Sequence, residues 1–194
     1  MSTGRARDRI ERIVQSWCGG ALLELDMPRV FDYLAAARRH LLEWVRDLER
    51  EQRGVYAQSF PIGLGSMRAT LLHIAAAEWA YVERLAGRDF PLGDSPFTPE
   101  RIPELEPLER AWQAQTTRTA AAIRSIGDPA RTVEFISQFG PARVRTTAAE
   151  ITLHMALHEV HHRAQVMAML RQCGVRAENI DYSFLAFDRI PITR

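Results

Sequence analysis

The sequence predicts an all-α protein: a four-helix bundle with an extra N-terminal helix and a small β-hairpin before the last long helix. Three observations predict it. Apolar residues recur at three- and four-residue spacing over four long stretches, near residues 28–50, 66–86, 104–126 and 147–173. Glycine and proline punctuate the gaps between them, at Gly54 to Gly65, from Gly87 to Pro103, and at Gly127-Asp128-Pro129. Only Thr132 to Ile136 and Ala142 to Thr146, around Phe139-Gly140-Pro141, read as paired strands.

A chain of 194 residues fits one domain, here residues 28–194, with residues 1–27 as an N-terminal helical extension. Hydrophobic content of 46% and charged content of 25% are ordinary for a soluble globular protein. A net charge of +1 gives no case for nucleic acid or an anionic membrane as partner. No apolar run approaches the ~20 residues needed to span a bilayer. Cys18 and Cys173, far apart, form no disulfide framework and fit a reducing cytosol, so a cytoplasmic location is expected. Arg5, Arg7, Arg9 and Arg12 are followed by no apolar segment of the kind a signal peptide carries.

In chain order, residues 4–18 can form a charged helix with Ile10, Ile13, Val14 and Trp17 on one side, ended by Gly19 and Gly20. The first long helix follows from about Pro28 to Arg50, with Val30, Phe31, Leu34, Leu41, Leu42, Val45 and Leu48 on its apolar stripe. His40 lies beside that stripe without an i+4 partner of metal-binding type and reads as a surface residue. Ser66 starts the second helix, to about Ala86. His73 sits among Ala69, Thr70, Ala76, Ala77 and Ala80, small residues that leave room for close packing or for a pocket. A lone inward histidine is more often a satisfied core residue than a ligand. That reading weakens only because a two-histidine site elsewhere lacks its third ligand. Residues 87–103, with four prolines, read as a long surface loop that could wall a pocket mouth. The third helix, about Glu104 to Ile126, carries Leu105, Leu108, Trp112, Ile123 and Ile126, with Gln115 and Thr119 interrupting the stripe.

The last helix, Thr147 to Cys173, holds four of the six histidines: His154, His158, His161 and His162. Thr147 with Glu150 makes a capping box, and Gly174 is a suitable stop. Ile151, His154, Met155, His158, His162, Gln165 and Met169 fall on one stripe at ~100° per residue. His158 and His162 project side by side from adjacent turns, as two ligands of one ion would. Equally, the cluster could be held by hydrogen bonds alone. The rear face carries Leu153, Leu157, Val160, Ala164 and Met167 and needs cover from the N-terminal helix or another subunit.

Three segments together resemble the DinB / YfiT-like family, whose members are regarded as metal-dependent. They are Gly65-Ser66-Met67 leading into Thr70-Leu71-Leu72-His73-Ile74-Ala75 with Glu78-Trp79; Leu153-His154 to His158 and His161-His162-Arg163-Ala164-Gln165; and Gly174 to Asp181-Tyr182. The likeness spans most of residues 28–187, and it departs mildly at Ala164, where the family often has glycine. It implies a four-helix bundle, a divalent metal held by His73, His158 and His162, and dimers in many members. His154 would neighbour the site rather than ligate.

Relatives in the wider superfamily include transferases and isomerases that use low-molecular-weight thiols such as bacillithiol or mycothiol. The expected function is therefore a metal-dependent enzyme on a small molecule, a thiol-dependent S-transferase or a hydrolase, acting as a homodimer. The alternative is a non-catalytic metal-binding bundle in stress response. Zinc or nickel is the expected ion, although imidazole ligands suit several metals. Gln165, Thr70 and Thr119 are candidates to orient the imidazole rings. His158-Glu159-Val160-His161-His162 also satisfies the H-E-x-x-H pattern of zinc peptidases, with Glu159 as base. The metzincin continuation is missing, with Gln165 and Ala168 in its place, and no sheet edge is evident for an extended peptide, so this reading ranks last.

Overall fold

Three of the four long helices begin where the sequence supplies a side-chain cap. The computed structural model describes residues 25–88, 94–137 and 142–188. The proposed helix at residues 4–18 and the turn at Phe139-Gly140-Pro141 lie outside them. Helix α1, Met27–Glu51, starts at Asp26, whose carboxylate accepts from the Arg29 amide at 3.0 Å. Helix α2, Met67–Leu85, starts at Ser66, whose hydroxyl accepts from the Ala69 amide at 3.0 Å. Helix α3 is Leu105–Arg124. Strands β1, Thr132–Ile136, and β2, Arg143–Thr147, pair antiparallel, with Thr132 opposite Thr147.

Helix α4, Ala148–Gln172, opens directly out of β2. Its capping box is complete, with the Glu150 amide on Thr147 Oγ1 and the Thr147 amide on Glu150 Oε2. Gly174, at φ +85°, lets the chain turn away in a left-handed conformation. The tail then forms a short helix α5, Tyr182–Ala186. Its approach is tied to α1: the Tyr33 hydroxyl donates to the Ile180 carbonyl, and Arg29 to that of Ala186.

Helices α1 and α2 each pack against both α3 and α4. Arg46 pairs with Glu109 near one end of the bundle and Arg124 approaches Asp32 near the other, so α1 and α3 are antiparallel. One apolar cluster joins Leu41, Val45 and Leu48 to Met67, Leu71, Leu108, Val166 and Leu170. A second joins Leu34 and Ala37 to Val82, Ile123, Ile151 and Met155. Thus α1 and α4 run one way, and α2 and α3 the other. The link from α2 to α3 must return along the bundle. The sequence reads it as a surface loop, but Phe97 and Ile102 are buried in the first cluster because this returning chain crosses its open side.

Between the two apolar clusters lies a buried polar layer: Arg38 from α1, Glu78 from α2, Gln115 and Thr119 from α3, and Glu159 and Arg163 from α4. The interruption of the α3 stripe at Gln115 and Thr119 therefore marks hydrogen bonding within the bundle rather than a cavity. No helix among the described residues is long and apolar enough to cross a membrane.

Candidate functional site

The polar layer has a counterpart on the outer side of the α2–α4 contact. There His73 of α2 meets His158 and His162 of α4. The Nε2 atoms of His73 and His158 are 3.0 Å apart. The ring centroids of His73 and His162 lie 4.7 Å apart, and those of His158 and His162 lie 4.5 Å apart. One ring nitrogen from each of the three residues falls within 4.8 Å of the others, and all three side chains are half-buried. Two nitrogens on one tetrahedral ion at 2.0–2.1 Å are separated by about 3.3 Å. The spacing and the all-imidazole donor set therefore fit a divalent ion with coordination positions left over.

The α4 stripe read from the sequence splits in two. Ile151, Met155 and Met169 turn into the core, while His158, His162 and Gln165 stay at its half-exposed border. Burial holds His73 below the usual histidine range, and the neighbouring His162 adds to the effect. His158 is pushed from 6.5 down to about 3, first by burial and then by His162, His73, His154 and His161. Near neutral pH both rings are thus in the neutral form that ligates.

A histidine kept neutral in the fold but free to charge in the unfolded chain makes the unfolded chain the stronger proton binder between the two pKa values. The stability tied to His158 is complete above 6.5 and is lost as pH falls towards about 3. Metal-free protein should therefore unfold at lower urea at about pH 5 than at about pH 7.5, and His158→Phe should shrink that difference. An equal difference in both proteins would remove His158 as its source.

Gln165 is the neighbour that reaches a ring of the cluster. Its Oε1 lies 2.9 Å from His162 Nδ1 and its Nε2 lies 3.1 Å from His161 Nε2. With the His162 Nδ1–H donating to the amide oxygen, Nε2 is left free for the cluster. Gly63, at φ +53°, presses on this amide, and a Cβ there would sit 2.2 Å from Gln165 Oε1. The left-handed backbone favours glycine there, and a Cβ would push the Gln165 amide off His162.

His154 stands outside the trio, its ring centroid 5.6 Å from that of His158 and 4.9 Å from Tyr81, edge-on. Burial, then Arg84, lowers its pKa. Tyr81 also meets Phe135 of β1, and the Arg84 guanidinium lies 4.0 Å from the Phe135 ring centroid, so an aromatic wall extends from the cluster towards the hairpin.

Thr70 and Thr119 do not join the site. The Thr70 hydroxyl donates to the Ser66 carbonyl one turn back, and Thr119 is turned inward, donating to Glu78 at 2.6 Å. His40 stacks on Trp44 with Glu43 3.7 Å away, remote from the other histidines. Glu159 is 4% exposed, and both its oxygens accept from Arg38. Burial pushes its carboxyl up, against the pull of Arg38. It faces the interior, not the imidazoles, so it is not placed as the base of a peptidase.

Arg38 is the participant that sequence reasoning missed. It lies four residues after Leu34 and three before Leu41, on the apolar stripe itself. A charge at that register is the signal of a buried ion pair.

A sequence profile of the DinB family matches residues 23–191. The chain is also similar to Protein DinB of Bacillus subtilis (strain 168), at 21% identity over 165 residues, covering 82% of this chain and 92% of that protein. The bundle, its hairpin and the histidine positions stand without these matches; with a match over most of the chain, the protein belongs to the DinB family.

Proposed function

We propose that this protein is a metal-dependent enzyme that holds a divalent ion, zinc or nickel, through His73, His158 and His162. It acts on a small molecule by transfer of a low-molecular-weight thiol or by hydrolysis. The convergence of three ring nitrogens within 4.8 Å on a half-exposed face carries the reading. A structural site would be closed by a fourth protein ligand, whereas three ligands leave room for another molecule. When bound, the ion supplies Lewis acidity that draws a thiol or water towards its anion near neutral pH. The chain's own residues do the rest. His73 and His158 present neutral nitrogens, Gln165 orients His162, and His154, Tyr81 and Phe135 bound the side on which a substrate sits. Two cysteines far apart in the sequence, with no disulfide framework, fit a cytoplasmic setting.

An electrophile panel with several low-molecular-weight thiols, comparing metal-loaded wild type with His162→Ala, tests the reading. Thiol consumption or hydrolysis lost in the variant supports it. Turnover unchanged by the substitution overturns a metal-centred reaction. Bound metal with no turnover of any kind favours the non-catalytic binding module instead.

We also propose a homodimer. Leu153, Leu157 and Val160 on the outer face of α4 are 41%, 60% and 42% exposed, a run that a second copy would cover, as in the family resemblance. Sedimentation is expected to give twice the chain mass, and a 22.1 kDa species at every concentration would contradict it.

A further inference from the structure

Directly behind the histidine cluster, a single guanidinium joins the two helices that carry it. Arg38 Nη2 lies 2.9 Å from Glu78 Oε2 on α2 and 2.5 Å from Glu159 Oε2 on α4. Its Nε reaches Glu159 Oε1 at 3.2 Å, and its Nη1 donates to Thr116 of α3 at 2.7 Å. Trp112 Nε1 donates to the same Glu78 oxygen at 2.7 Å and Thr119 to the other at 2.6 Å, and the guanidinium stacks 4.2 Å from the Trp112 ring centroid. Every helix of the bundle is engaged.

Glu159 lies between His158 and His162 in sequence, one residue and so ~100° around α4 from His158. Glu78 follows His73 by five residues, ~140° around α2 at the same helical pitch. The carboxylates thus point inward, whereas the imidazoles lie on the half-buried side of the α2–α4 contact.

We infer that Arg38 is a positioning residue for the three-histidine site, fixing the separation and the roll of α2 and α4 so that their imidazoles meet. The inference rests on the metal-binding reading above. Its magnitudes favour a dedicated clamp. Side-chain atoms lie about 5–6 Å from a helix axis, so a roll of ~10° displaces a ring nitrogen by ~1 Å. Metal–ligand distances tolerate only about ±0.2 Å. Around His73 the α2 surface is mostly alanine, which offers few interlocking side chains to resist such a roll. A planar fork with two carboxylates does resist it, and an ammonium, as a point charge, does not.

The test measures Zn2+ affinity by competition with a chromophoric chelator, alongside thermal unfolding of the metal-free protein. The variants are Arg38→Lys, the charge-matched Arg38→Met/Glu159→Gln, and Leu34→Ala, a core truncation one turn away on α1 that unsettles the fold without touching the clamp. Both Arg38 variants should bind Zn2+ at least about tenfold more weakly, the scale of losing a group that orients ligands. Leu34→Ala, at equal or greater loss of thermal stability, should change affinity by less than about threefold. Wild-type affinity in either folded Arg38 variant overturns the inference, as does an equal loss in Leu34→Ala. If wild type itself takes up no Zn2+ or Ni2+, the metal reading fails first and the clamp with it; uptake by wild type with unchanged variants removes the clamp alone.

Discussion

Replacing His73 by alanine is expected to weaken Zn2+ binding as far as replacing His158 does, by more than about a hundredfold. Removing a group that merely orients a ligand costs about 10–100-fold, and removing a ligand should exceed that. The expectation follows from His73 Nε2 standing 3.0 Å from His158 Nε2, a separation that fits two ligands of one ion rather than of two. Metal content after purification without a histidine tag, together with chelator competition, measures it. Equal affinity in His73→Ala and wild type would take α2 out of the site and reduce it to a two-histidine pair on α4. Because the His73 ring is half-buried rather than deep in the core, the fold should survive the change, and circular dichroism of the variant should stay helical.

Glu159→Ala is expected to lower the unfolding free energy by about 3–5 kcal/mol, the range for removing one partner of a buried ion pair. The cost comes less from the lost attraction than from the charge left behind. Arg38 would then keep one carboxylate, Glu78, at 2.9 Å, and the field of Glu159 would be lost to Arg163 as well; Arg38 and Arg163 are each 5% exposed. Arg163 adds to the strain, since one of its terminal nitrogens, Nη1, already lacks a hydrogen-bond partner. Chemical denaturation of the metal-free protein measures the effect; a loss under about 1 kcal/mol would mean that the charges had found water. The same variant separates two roles for this glutamate. A general base could be removed at little cost to stability, and a structural ion-pair partner could not.

Much of the fold was legible because helix ends are written locally. Ser66 and Thr147 with Glu150 cap the helices they were read to start, and Gly174 ends the last one, while the first helix, read from Pro28, is capped by Asp26 two residues before it. His158 and His162 were legible for the same reason: a spacing of four is a property of one helix. His73 was not, because its own surroundings are equally compatible with a core histidine, and only the packing of α2 on α4 or a likeness to a known family brings it to the pair. The threonines show the limit from the other side. Thr70 and Thr119 could be put on inward faces but not against a particular neighbour, and a helical stripe does not say which of two adjacent helices it meets. Phe97 and Ile102 were hidden by the prolines around them, which mark irregular backbone but say nothing about which side chains tuck beneath it. Arg38 was visible and passed over, a charge standing in an apolar register.

The polar layer between the two apolar clusters also bears on alignment. Leucine and valine tolerate a helix slipping along its neighbour by one turn, about 5.4 Å. Charges do not. If α4 slid by a turn, Arg38 would keep Glu78 but would face Met155 in one direction and Arg163 in the other, losing its second carboxylate or meeting a like charge in the buried layer. A bundle otherwise stitched from interchangeable aliphatic contacts thus has one vertical setting available to it, and that setting is the one in which position 73 stands level with positions 158 and 162.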